Sequence, residues 1–194
     1  TIVMPGSLDP NHGKITLKGY GYNLKLKKQD ADTHNRTQGD VPDYKDVSYE
    51  IFSKDDNKVV GTLTTDANGD SNVLEGLAPG NYTHTEKSTV DGYNLDSVSH
   101  DFTISDSDYV ITAEDTVETG KLSIHKLIPD TEESDFTKPE KGATFEAILT
   151  KYVTQYGSFE EAMKHTADYT KKEWSVFVTD DDGNATSGDL AYGD

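Results

Sequence analysis

The chain repeats itself, and that repeat limits the fold more than any other feature. Leu24-Lys25-Leu26-Lys27-Lys28 returns as Leu122-Ser123-Ile124-His125-Lys126. Each stretch alternates with a period of two, the pattern of a strand with one buried face, and ends on a Lys in phase with its apolar residues. A second strand follows in both copies, Val47-Ser48-Tyr49-Glu50-Ile51 and Ala143-Thr144-Phe145-Glu146-Ala147. Next come the turns Thr65-Asp66-Ala67-Asn68-Gly69 and Thr179-Asp180-Asp181-Asp182-Gly183, then Leu77-Ala78-Pro79-Gly80 and Leu190-Ala191-Tyr192-Gly193. Short strands parted by Asp- and Gly-rich turns predict an all-β chain. The copies predict two domains, 22–117 and 118–194, after a lead-in over 1–21 from an upstream module. The join Val117-Glu118-Thr119-Gly120 is short, which predicts a stiff, linear array.

The second copy departs from the first in two ways. The first copy runs on from Gly80 to Asp115, whereas the second ends one residue after Gly193. The second is therefore expected to lack its C-terminal strands, through truncation, disorder or completion by a strand from another chain. It also carries an insertion. Ser158 and Glu161 have capping-box spacing, and Phe159, Ala162, Met163 and Ala167 could face a sheet. One helix over 158–168 is the expectation, with a polar loop as the alternative.

Composition removes several functions. The 194 residues include no Cys, which excludes a disulfide, a thiolate metal site and a Cys nucleophile. A formal charge of −18 disfavours nucleic acid and anionic membrane surfaces as partners. No apolar run is long enough to span a bilayer. The six His have no H-E-x-x-H spacing, and no G-x-S-x-G elbow or phosphate loop occurs, so an enzyme acting on outside substrates is not expected. No cofactor is expected. Asp66, Asn68 and Asp70, continued by Asn72, have the alternating oxygens of a calcium loop but no Glu at its twelfth position; Asp180, Asp182 and Asn184 are similar. Eleven Tyr leave open a second function, binding of a protein or carbohydrate ligand. A Thr–Gln ester is disfavoured, because Gln29, Gln38 and Gln155 all lie off the closing strand of the first copy.

The motifs also follow a fixed order. Lys28-Gln29-Asp30-Ala31-Asp32-Thr33 is followed by Thr64-Thr65-Asp66-Ala67-Asn68-Gly69, by Gly76-Leu77-Ala78-Pro79-Gly80-Asn81-Tyr82, by Glu86 and by Asp91-Gly92-Tyr93. This resembles the CnaB-type (prealbumin-like) domains of Gram-positive collagen adhesins and SpaA-type pilins. The second copy resembles them through Lys126, Gly142-Ala143-Thr144-Phe145 and its later turns. The resemblance implies tandem immunoglobulin-like β-sandwiches, the second incomplete and carrying a short helical insertion. It implies an extracellular, cell-wall-anchored stalk whose partners are neighbouring modules and a host surface or matrix protein. It also implies a spontaneous isopeptide bond, with Lys28 as the amine and Glu86, four residues after Tyr82, as the assisting acid. The acceptor, most often Asn in the family, falls near Glu114 and Asp115. Asp115 shares a face with Tyr109, Ile111 and Ala113 and is preferred. Lys126 would be the unpaired counterpart in the second domain.

That chemistry needs a buried site. A Lys amine attacks a carboxyl carbon only when neutral, and burial disfavours its charged form. Burial likewise keeps an acid protonated, so that it can polarise the acceptor and move protons. Lys25 and Lys27 are out of phase with the core and are expected in solvent.

Overall fold

The computed structural model describes residues 21–129 and 136–194. The lead-in over 1–21 thus lies, apart from Gly21, outside the described residues. From Tyr22 the period-two pattern becomes strand. β1 (Tyr22–Asp30), β4 (Leu74–Leu77) and β7 (Tyr109–Asp115) form one sheet, in the order β4-β1-β7. β2 (Ser48–Ser53), β3 (Lys58–Thr64), β5 (Gly80–Ser88) and β6 (Ser99–Ile104) form the other, in the order β3-β2-β5-β6. Leu24, Leu26, Val47, Ile51, Leu63 and Ile104 are the centre of the buried core between them. Each such side chain stabilises the fold by about 1.5–3 kcal/mol relative to its exposed state. The fold is an all-β, immunoglobulin-like sandwich. β1 and β7 run parallel, with Lys28 opposite Ala113 and Asp30 opposite Asp115. The first and last strands of the sandwich are therefore neighbours.

The two repeated turns are built alike. In the first, Asp66 accepts from the backbone N–H groups of Asn68 (2.8 Å) and Asp70 (3.0 Å). In the second, Asp180 accepts from Asp182 (3.0 Å) and Asn184 (2.9 Å). Gly69 and Gly183 have φ of +84° and +76°, and a Cβ there would lie 2.4 Å from the Lys28 carbonyl or 2.5 Å from the Lys126 carbonyl. Glycine is required on both counts. The Lys28 N–H donates to the Gly69 carbonyl, and the Lys126 N–H to the Gly183 carbonyl, each at 2.8 Å. Of the candidate calcium ligands, Asp66 closes its turn through one carboxylate oxygen and Asp70 pairs with Lys27 at 3.1 Å. Among the described residues no cluster of His, Asp and Glu could hold a metal ion.

Beyond the sandwich the strands pair two by two. β8 (Thr119–Gly120) pairs with β15 (Leu190–Ala191), β9 (Ser123–His125) with β14 (Asn184–Thr186), β10 (Leu127–Pro129) with β11 (Phe136–Pro139), and β12 (Thr144–Ile148) with β13 (Trp174–Val178). The helical insertion differs from the single helix expected over 158–168. It comprises α1 (Thr150–Tyr156), α2 (Phe159–Met163) and a 3-10 turn over Thr166–Asp168. Gly157, at φ 85°, ends α1, and Ser158 starts α2 by accepting from the Glu161 N–H at 3.1 Å. The capping box is only half made, because the Glu161 carboxylate turns to Lys164 at 2.7 Å. Ala162 is buried, but Ala167 is exposed, since α2 stops at Met163. Two Thr, a Val and two Tyr in α1 are mediocre helix formers, which hid it from the sequence.

The loop after β1 packs on this insertion through polar contacts. Glu173, wholly buried, accepts two hydrogen bonds from the Arg36 guanidinium (2.9 and 2.7 Å) and one from the Tyr152 hydroxyl (2.8 Å). Thr170 donates its hydroxyl to the Gln38 side-chain carbonyl (2.5 Å), and Lys172 pairs with Asp32 (2.7 Å). Burial alone would raise the Glu173 carboxyl, but Arg36, the Thr170 N–H and Tyr152 outweigh it and hold the group down at about 2.

Candidate functional site

Lys28 is the largest wholly buried side chain described. Its place in the alternation of β1 sends it inward behind Leu24 and Leu26, while Lys25 is exposed and Lys27 half-exposed. Glu86 on β5 and Asp115 on β7 meet it there. Lys28 Nζ donates to Glu86 Oε1 at 3.1 Å and lies closer still to Asp115 Oδ2. Three residues that the sequence did not single out complete the setting. The Tyr49 hydroxyl donates to Glu86 Oε1 (2.7 Å), the Asp96 N–H to Glu86 Oε2 (2.9 Å), and the Thr89 hydroxyl to Asp115 Oδ2 (3.2 Å). Lys28 Nζ also sits 5.8 Å from the centre of the Tyr49 ring. Tyr49 was visible as an inward position between Val47 and Ile51; its bond to Glu86 depends on how β2 and β5 pair.

Burial pushes the Glu86 carboxyl above the ordinary carboxylate range, and the Asp115 charge adds to this against the pull of Tyr49 and Lys28. Burial, with the Glu86 charge beside it, also raises the Tyr49 hydroxyl far above its usual value. Tyr49 therefore stays a hydrogen-bond donor at any physiological pH. Glu114, the neighbouring acceptor candidate, faces outward and bonds Gln29 (2.5 Å) and His34 (2.9 Å). Asp30, on the same face as Lys28, is engaged by Gln38 and by the Tyr93 hydroxyl (2.7 Å). Lys126 has the same backbone contact as Lys28, but its side chain is 40% exposed and lies 3.6 Å from Glu140. Among the described residues, β9 pairs with β14 alone.

Comparison with known proteins places the fold. A profile of the SpaA prealbumin-like fold domain matches residues 22–119. The chain belongs to that family. No curated protein sequence matches it. The Bacillus anthracis TIE protein is similar in structure, with a TM-score of 0.53 and 21% identity over 89% of this chain and 26% of its own. This chain thus spans about a quarter of that protein, and the likeness is one of fold. BcpA, the major pilin subunit of Bacillus cereus, aligns at a TM-score of 0.43 with 15% identity, over 88% of this chain and 68% of BcpA. GBS52, the minor pilin of Streptococcus agalactiae, aligns at 0.39 with 21% identity, over 56% and 48%.

Proposed function

We propose that this chain is part of an extracellular stalk of a Gram-positive surface protein, and that its first module, residues 22–117, is tied by an isopeptide bond between Lys28 and Asp115. The observation that carries this reading is a wholly buried Lys held between two buried carboxyls. Burying three ionisable groups is costly, and packed apolar residues would serve stability as well or better. The arrangement makes sense where charge is consumed. In the reaction, Lys28 Nζ bonds to the Asp115 side-chain carbon and one carboxyl oxygen leaves. Two protons of the ammonium depart with that oxygen as water, so an ammonium and a carboxylate become a neutral amide. Glu86, raised by burial, carries protons from nitrogen to the leaving oxygen. The fold holds amine and acceptor in contact, an advantage of about 7–11 kcal/mol over free reactants.

Residues 118–194 would be a second module with Lys126 at the station of Lys28. A strand supplied from elsewhere would bring its acceptor. The bond gives a Cys-free stalk what disulfides give other secreted proteins, a covalent tie between distant segments. The test is the intact mass of the chain beside its Lys28→Ala variant. Wild type should weigh one water less than its sequence, and the variant should show its full mass. Full mass in wild type would overturn the bond.

A further inference from the structure

A pocket of about 160 Å³ opens beside the Lys28 site. Tyr49, His84, Glu86, Asp96, His100 and Asp115 line it. Its size admits a few waters, and polar walls of this kind hold them. Two imidazoles stand along it. His84 lies two residues before Glu86 on β5 and so points to the same face, about 7 Å away along the strand, a gap that a short chain of waters could span. His100 lies opposite His84 on β6, and the rings stack with centroids 5.2 Å apart. His100 is half-exposed and its Nε2 is 2.6 Å from Asp96 Oδ2. Asp96 in turn donates its N–H to Glu86. One atom in this array stands out. His84 Nδ1 is buried and has no hydrogen-bond partner among the described residues. A buried polar atom seldom goes unpaired, and this one lies beside the pocket that waters can enter.

We propose that His84 and His100 form a water and proton path between solvent and Glu86, and that His84 sets the pH dependence of bond formation. The inference rests on the proposed Lys28–Asp115 bond. The reaction must move two protons and release one water from a site whose Lys and two carboxyls are nearly wholly buried, and the pocket opens next to both carboxyls. Neutral His84 relays protons through the pocket waters to and from Glu86. A charged His84 cannot accept one, and its charge holds Glu86 ionised, which stops the shuttle. Burial, helped by His100, lowers the His84 imidazole, so it is neutral at ordinary pH. The groups facing it are Tyr49 from β2, Glu86 on its own strand, Asp96 before β6, His100 on β6, and Asp115 from β7, while the Glu114 carboxylate turns away to Gln29 and His34; Lys28 lies behind Glu86. The carboxylates favour the charged imidazole and burial opposes it.

The experiment follows bond formation in freshly made chain. A short pulse of cell-free synthesis is stopped, and aliquots are moved to buffers from about pH 5 to about pH 8, the range in which His titrates. They are quenched in denaturant over time, and loss of one water is read by intact mass. The wild-type rate should fall about tenfold per pH unit below the His84 midpoint. His84→Gln should be slower by about ten- to a hundredfold at the upper end and nearly flat with pH. His100→Ala, at a half-exposed position that can be emptied without unfolding the core, should flatten the profile in the same direction. Water loss with unchanged rates and profiles in both variants would overturn the path and leave the bond standing. No water loss in wild type at any pH would take down the bond and the path together.

Discussion

At the residue scale, the proposed bond depends on which side chains meet Lys28 in the core. Asp115→Asn should still give a cross-linked chain, but one lighter by an ammonia instead of a water, because the leaving group changes while the geometry does not. Intact mass distinguishes the two. Glu86→Gln keeps the shape but removes the proton carrier, and should leave a linear chain at full mass. Tyr49→Phe removes one of the groups that draws Glu86 toward its ionised form. It should leave the bond in place while costing about 1–2 kcal/mol through the unpaired Glu86 oxygen, seen as a lower melting temperature. Before any bond forms, the raised Glu86 carboxyl has a sign of its own. A group raised on folding favours the folded state at low pH and loses that contribution as pH climbs from its ordinary value through the raised one. The linear Lys28→Ala chain, free of the Lys28 charge, should therefore lose stability as pH rises through that window, as denaturant melts at stepped pH would show.

At the scale of elements, two features carry stability outside the core. The turn that ends at Gly69 needs both a positive φ and an absent Cβ. Gly69→Ala should cost about 1–3 kcal/mol and disturb the backbone beside Lys28, which thermal unfolding would detect. The joint between the loop after β1 and the helical insertion hangs on Glu173. Removing its partner with Arg36→Ala should cost about 1–3 kcal/mol, less than for a fully buried pair because Arg36 is partly exposed. Hydrogen exchange should then rise in residues 31–46 and 149–173 before it rises in β1 or β7. The Glu173 carboxyl is lowered on folding, so its contribution is present above its ordinary value of 4.5 and is lost as pH falls toward about 2. The joint should loosen over that interval while the apolar core between the two sheets still holds.

At the scale of the whole molecule, the parallel pairing of β1 with β7 puts the ends of the sandwich side by side. A bond from Lys28 to Asp115 would enclose the 86 residues between them. Force entering at Tyr22 and leaving beyond Asp115 would then pass through the bond and leave the strands between unloaded. Single-molecule stretching of wild type should show no unfolding of residues 29–114. Lys28→Ala should show it, with a gain of about 300 Å at the extended length of a chain.

The strand periodicity, the duplicated turns and the inward phase of Lys28 and Asp115 were legible from local pattern, because a side-chain period of two assigns faces without knowledge of neighbours. Glu86 and the isopeptide chemistry came from resemblance to a family, and Lys126 came from the repeat. Other features depend on pairs distant in sequence. Tyr49 reaches Glu86 only through the β2–β5 register, and Asp96 reaches it from a loop. His84 and His100 meet because β5 and β6 place them opposite one another. Arg36 and Glu173, 137 residues apart, left no pattern at all. A linear code displays the face on which a residue lies; which residue waits on the facing surface is decided when strands and loops choose their partners.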